Sequence, residues 1–93
     1  MKYEVVRTKR FKTAYKRVSK LSGFKETVFA QVVSTLASGQ KLDKKYKDHT
    51  LTGNLKALRE CHLAPDILLI YTVDEGILVL TLVSVGTHSQ LFN

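Results

Sequence analysis

The chain has 93 residues, of which 44% are hydrophobic and 25% charged, and a formal net charge of +7. This composition excludes a disordered segment, and it excludes a membrane-spanning protein because no run approaches the roughly 20 apolar residues that a spanning helix needs. One folded unit over 1–93 with a modest core is expected, and the lone Cys61 excludes an internal disulfide and suits a reducing cytoplasm.

The opening residues, Met1 to Arg7, hold too short an apolar run for a signal peptide. All 15 Lys and Arg lie at or before Arg59, so residues 1–59 carry 15 basic against 4 acidic residues, or +11, and residues 60–93 carry 0 against 4, or −4. A chain polarised in this way suits a polyanion such as nucleic acid, or an acidic protein partner.

Tyr3 to Val6 mix aromatic and β-branched types and predict a short strand. Thr8 is placed to cap a helix in which Phe11, Ala14, Tyr15, Val18 and Leu21 recur at helical spacing, with Gly23 as its C-terminal cap. Lys9, Arg10, Lys12, Lys16, Arg17 and Lys20 give that helix a basic outer face. A second helix over Lys25 to Ser38 follows from Val28, Phe29, Val32, Val33 and Leu36, and Gly39 ends it; the two helices make a hairpin. Gln40 to Asp48 is a Lys-rich connector anchored by Leu42 and Tyr46, expected as an ordered loop.

Beyond the connector the period changes. Leu55 to Leu63, Ile67 to Val73 and Ile77 to Val85 predict three strands, punctuated by Pro65-Asp66 and Asp74-Glu75-Gly76, hence an antiparallel β-meander. Ile67 to Tyr71 is apolar on both faces, which makes that strand central. The expected architecture is α+β: an N-terminal strand and the meander form a four-stranded sheet, with the helix pair on one face and the other face open.

Three histidines, His49, His62 and His88, lie outside the helices, together with Asp48, Glu60, Asp66 and Arg59. Histidine titrates nearest neutrality, and with carboxylates it can serve as general acid and base. RNA can be cut by its own 2′-hydroxyl if a base takes the hydroxyl proton, an acid protonates the leaving 5′-oxygen and cations stabilise the phosphorane; no metal or cofactor is required. In Glu60-Cys61-His62 the outer two side chains share one face of a strand, and Arg59 points to the other. Taken singly, each histidine is most simply a hydrogen-bonded surface residue, and Lys44, Lys45 and Lys47 a solvated charge run; their coincidence favours a phosphate-handling site. Zinc is disfavoured because adjacent Cys61 and His62 face opposite ways on a strand. Cys61 itself fits a buried apolar thiol better than a nucleophile.

Tyr46-Lys47-Asp48-His49, Leu51-Thr52-Gly53, Arg59-Glu60-Cys61-His62, Pro65-Asp66, Leu69-Ile70-Tyr71 and Gly86-Thr87-His88-Ser89-Gln90-Leu91-Phe92, in this order, resemble the YafQ-type toxins of the RelE superfamily. The resemblance is strong from Tyr46 to Phe92 and covers residues 1–38 as a strand and a basic helical hairpin. It implies a RelE-like fold and a cytoplasmic, ribosome-dependent endoribonuclease that cuts messenger RNA in the ribosomal A site. It also implies a cognate acidic antitoxin as partner. By motif, His49, Glu60, His62, Asp66, His88 and Phe92 fall on the family's functional positions. His88 is then the general acid, His62 with Glu60 or Asp66 supplies the base or its orientation, His49 and the lysines handle phosphate, and Phe92 stacks on a base. Two departures stand out: Ile67 replaces an aromatic after the Pro-Asp pair, and Ser84 replaces an Arg shortly before Gly-Thr-His. Arg59 or a connector lysine would then have to supply the missing cation. The competing readings are a ParE-like toxin acting on gyrase, which has no use for the histidine set, and a non-catalytic RNA- or ribosome-binding module.

Overall fold

The computed structural model describes residues 1–51 and 57–92. The elements run β1 (Glu4–Arg7), α1 (Lys9–Val18), α2 (Glu26–Ala37), a 3₁₀ turn (Lys44–Tyr46), β2 (His49–Thr50), β3 (Arg59–Ala64), β4 (Ile67–Asp74), β5 (Val79–Gly86) and α3 (His88–Phe92).

The N-terminal helix starts as its sequence dictates. Thr8 is extended and its hydroxyl accepts from the Phe11 N–H at 2.9 Å, satisfying one of the free donors of the first turn. The same hydroxyl donates to the Val83 carbonyl at 2.9 Å, which pins the start of α1 to β5. The expected end at Gly23 is not observed: α1 stops at Val18, and Leu21 and Phe24 each accept or make a turn bond instead, Leu21 N–H to Val18 O and Phe24 N–H to Leu21 O. Those turns bring Phe24 edge-on to Tyr15 at 5.5 Å, joining Phe11 and Phe29 in a four-ring cluster between the helices. Forming that cluster outweighs about one more helical turn.

For α2 the sequence and structure agree closely, and its end shows why Gly39 is there. Gly39 N–H bonds Leu36 O and Gln40 N–H bonds Thr35 O, the paired bonds of a Schellman cap, with Gly39 at φ +83°. A side chain at Gly39 would be strained and would meet Lys2 Cδ at 2.7 Å.

The sheet has five strands in the order β1-β5-β4-β3-β2, one more than expected, because His49 and Thr50 pair with Glu60 and Arg59 at its edge. The meander β3-β4-β5 is antiparallel and β1 lies parallel to β5. Of the strand expected over Leu55 to Leu63, only Arg59–Ala64 is extended; residues 52–56 lie outside the described residues. The third meander strand begins at Val79, two residues late, because the Asp74 carboxylate accepts from both Gly76 and Ile77 N–H and Leu78 turns through φ 56°. β4 is the middle strand and buried from Ile67 to Tyr71, as its apolar run requires.

Cys61, Ile67, Leu69, Tyr71, Leu80, Leu82 and Val85 meet Phe11, Ala14, Val18, Phe29, Val32 and Leu36 in one core beneath the helices. The opposite face is not fully open. A Cβ on Gly86 would point to the face shared by its partners Leu68 and His62, and there it would meet Gln90 Cβ at 3.3 Å. Helix α3 therefore crosses that face. Among the described residues no helix is long and apolar enough to cross a membrane.

Candidate active site

Two rows of directly opposed residues build the site on the face away from α1 and α2. One row runs His49–Glu60–Ile70–Ser84 across β2, β3, β4 and β5, and the next runs His62–Leu68–Gly86. The alternation that puts Glu60 and His62 on this face puts Arg59 and Cys61 on the other.

Glu60 is 5% exposed and lies between two imidazoles. Its Oε1 is 3.3 Å from His49 Nε2 and 3.8 Å from His62 Nε2, with the two rings 6.5 Å apart. The His49 Nδ1 lies 2.7 Å from the Lys47 carbonyl, which can only accept, so Nδ1 carries a hydrogen. The Nε2–carboxylate contact is then a hydrogen bond only when a further proton lies between His49 and Glu60. Such a proton, held between a base and an acid at the surface, is the equipment of general acid–base chemistry.

A second cluster sits at the other end of the same face. The Asp66 carboxylate, in the two-residue loop after Ala64, accepts the His88 backbone N–H at 3.2 Å, and the His88 and Phe92 rings, one turn apart, meet at a 51° tilt with centroids 5.2 Å apart. His88 is exposed and Phe92 is 40% exposed. The helix that carries them is made by Thr87 and Gln90: Thr87 Oγ1 accepts from Gln90 N–H at 3.2 Å, and Gln90 Oε1 accepts from Thr87 N–H at 2.9 Å. This reciprocal capping box, a Thr followed three residues later by Gln, was visible in the sequence as the signal for a helix that periodicity alone had not shown. Gly86, from which α3 departs, is two strands from His62 in the same row, on the order of 10 Å at the usual strand spacing.

Arg59 stands apart from both groups. On the helix side of the sheet its Nε and Nη2 donate to the two oxygens of Asp48 at 3.3 and 3.0 Å, and its Nη1 donates to Thr50 Oγ1 at 2.8 Å. The buried Tyr71 hydroxyl also donates to Asp48. The bond to Asp48 raises the Arg59 pKa above its already high ordinary value, against the effect of burial. Tyr71 is raised first by burial and then by the Asp48 carboxylate. Cys61, fully buried, is pushed up to about 12 by burial and then by the charges of Asp48 and Glu60, which leaves a protonated, unreactive thiol.

Lys45 and Lys47 line a cavity of about 420 Å³ between the 3₁₀ turn and the outer edge of β3, walled by Tyr46, His62 and Ala64. Lys44 borders a neighbouring hollow with Lys41, Lys47 and Arg59. Lys45 and Lys47 thus share a cavity with His62, while Lys44 lies on the side of Asp48 and Arg59. Ser84 is buried beneath the site face, opposite Ile70. Among the described residues no group of three or more His, Cys, Asp or Glu side chains is arranged to hold a metal ion.

The family model described as bacterial toxin of type II toxin-antitoxin system, YafQ, matches residues 3–93. The mRNA interferase toxin YafQ of Escherichia coli strain K12 is 34% identical over 85 residues, which is 91% of this chain and 86% of that one. A metal-bound toxin from Helicobacter pylori has the same fold with a TM-score of 0.88 and 43% identity, covering 97% of this chain and 99% of its own. The toxin in the E. coli DinJ-YafQ complex matches with a TM-score of 0.86 and 26% identity, covering 98% and 99%. With a family match over residues 3–93, and a fold and a sequence shared over nearly its whole length, this chain belongs to the YafQ family of bacterial type II toxin-antitoxin toxins.

Proposed function

We propose that this toxin is an endoribonuclease that cuts messenger RNA in the A site of the ribosome, using the RNA 2′-hydroxyl as nucleophile. The observation that carries the reading is the convergence of His49 and His62 on one oxygen of the buried Glu60, on the face that α3 crosses with His88 and Phe92. The E. coli relative named mRNA interferase toxin supports the reaction class.

In this mechanism His62, oriented by Glu60, takes the 2′-hydroxyl proton as the oxygen attacks phosphorus. His88 protonates the departing 5′-oxygen, its place fixed by Asp66 at the start of α3. Each such proton transfer is worth about 10²–10⁴-fold in rate. His49 and the cations of Lys44, Lys45 and Lys47 face the phosphate, where they offset the charge that grows on the phosphorane. Phe92, exposed on the last turn of α3, stacks on a base of the substrate. With Ser84 buried and uncharged opposite Ile70, the connector lysines carry the cationic role. Arg59 is bound to Asp48 on the other face, and it serves the site from behind. No cofactor takes part.

The ribosome supplies the aligned substrate, and the +11 charge of residues 1–59 favours ribosomal RNA as the docking surface. The same charge fits a cognate acidic antitoxin that gains order on binding, in line with the E. coli relative crystallised as the DinJ-YafQ complex. A ribosome and such an antitoxin as partners support a cytoplasmic location.

Primer extension on a defined messenger RNA in a purified translation system tests the reading. Cuts within the A-site codon that require ribosomes and vanish in His62→Ala and His88→Ala are expected. A folded wild-type protein that makes no cuts sinks the reading and favours gyrase or simple RNA binding.

A further inference from the structure

We propose that Asp48, Arg59 and Tyr71 form a clamp behind the sheet that sets the position of His49, so that all three are positioning residues for the site. The inference rests on the catalytic reading only where it concerns rate; the placement of His49 is a separate matter.

His49 belongs to an edge strand of two residues, paired only through His49–Glu60 and Thr50–Arg59. So short a pairing specifies register weakly. The residue before it is held on the other side of the sheet with unusual firmness. Asp48 receives both nitrogens of a forked Arg59 contact and the hydroxyl of Tyr71, and the third Arg59 nitrogen ties Thr50. Arg59 thus brackets His49 by bonding the residues on either side of it. Tyr71 is 1% exposed in the central strand, so the anchor reaches the rigid middle of the sheet.

Alternation does the rest. With Asp48 drawn towards the helix side, His49 must point to the opposite face, and Lys47, turned through φ 52°, offers its carbonyl to Nδ1. The clamp thereby fixes the tautomer of His49 and aims Nε2 at Glu60, the only other charged side chain apart from His62 that faces it among the described contacts. A lysine at 59 cannot reproduce this, since one ammonium cannot span Asp48 and Thr50 with a planar fork.

Long-range ¹H–¹⁵N NMR of the histidine rings decides it, on full-length wild type, Tyr71→Phe and Asp48→Asn, each shown folded by its amide spectrum. In wild type His49 reports a hydrogen fixed on Nδ1. In both variants the His49 signals are expected to move towards a tautomer mixture, with His88 unchanged. His49 signals that stay at their wild-type positions in both folded variants overturn the clamp. The kinetic arm expects kcat for RNA cleavage to fall about tenfold in Tyr71→Phe with KM unchanged, and no further fall when Tyr71→Phe is added to His49→Ala. An equal fall in the His49→Ala background overturns action through His49. Absence of cleavage by folded wild type counts against the ribonuclease reading alone, because the NMR arm needs no RNA.

Discussion

A carboxylate that is nearly fully buried needs compensation for lost water, and Glu60 has two imidazole Nε2 atoms 3.3 and 3.8 Å from one of its oxygens, the nearer of which compensates it when a proton lies between them. On the reverse face the neighbouring Cys61 and Tyr71 are buried as neutral groups, and this has a consequence for stability. Their folded pKa values lie above the ordinary 9.0 and 10.0, so the native state holds protons that the unfolded chain releases in alkali. The stability they permit is whole below about pH 9 and is lost as pH rises towards the folded values. Thermal melts should therefore be level from pH 7 to about 9 and fall steeply above it, with Cys61 unreactive to a thiol reagent in the native protein at pH 8. A melting temperature level up to pH 11, or a native thiol that reacts like a free one, would contradict the burial of these groups. At this scale much was legible: strand alternation alone sets Glu60 and His62 on one face and Arg59 on the other. The approach of His49 to Glu60 was not, because a strand of two residues has no period to read.

Elements were legible where hydrophobic period and local capping agree. Thr8, the α2 stripe and Gly39 mark real helix ends, and the doubly apolar run of β4 does lie at the centre of the sheet. They were misread where tight turns intervene: the Asp74 side chain caps a turn that delays β5, and backbone-bonded turns after Val18 end α1 before Gly23. Helix α3 is the instructive case. Five residues are too few to be stable alone, and the Thr87–Gln90 capping box together with Asp66 holds it. Thr87→Ala should cost α3 about 1 kcal/mol. The Leu91 amide, which bonds the Thr87 carbonyl at 3.0 Å, should then exchange about fivefold faster, while the global melting temperature moves little. Unchanged exchange at Leu91 would show that the cap is not what orders the helix.

On the scale of the molecule, topology joins distant stretches of chain into one face. β2 supplies His49, β3 Glu60 and His62, the loop after it Asp66, and α3 His88 and Phe92, while the basic residues all precede position 60. On the proposed reading the positive residues 1–59 attract a polyanion, and His49 from that half joins Glu60, His62 and His88 of the acidic remainder at the site. The fold class, the helical layer and the meander could be inferred from pattern, but the fifth strand and the crossing of the open face by α3 depend on contacts that no local period encodes. The central claim is that this face cuts RNA by activating the 2′-hydroxyl next to the broken bond. Its most direct test is a messenger RNA carrying a single 2′-deoxynucleotide on the 5′ side of the mapped cut, translated with the toxin beside the all-ribose transcript. The account predicts that cleavage at that position disappears and persists in the all-ribose transcript, leaving a 5′-hydroxyl on the downstream fragment; undiminished cutting at the deoxy position would contradict it.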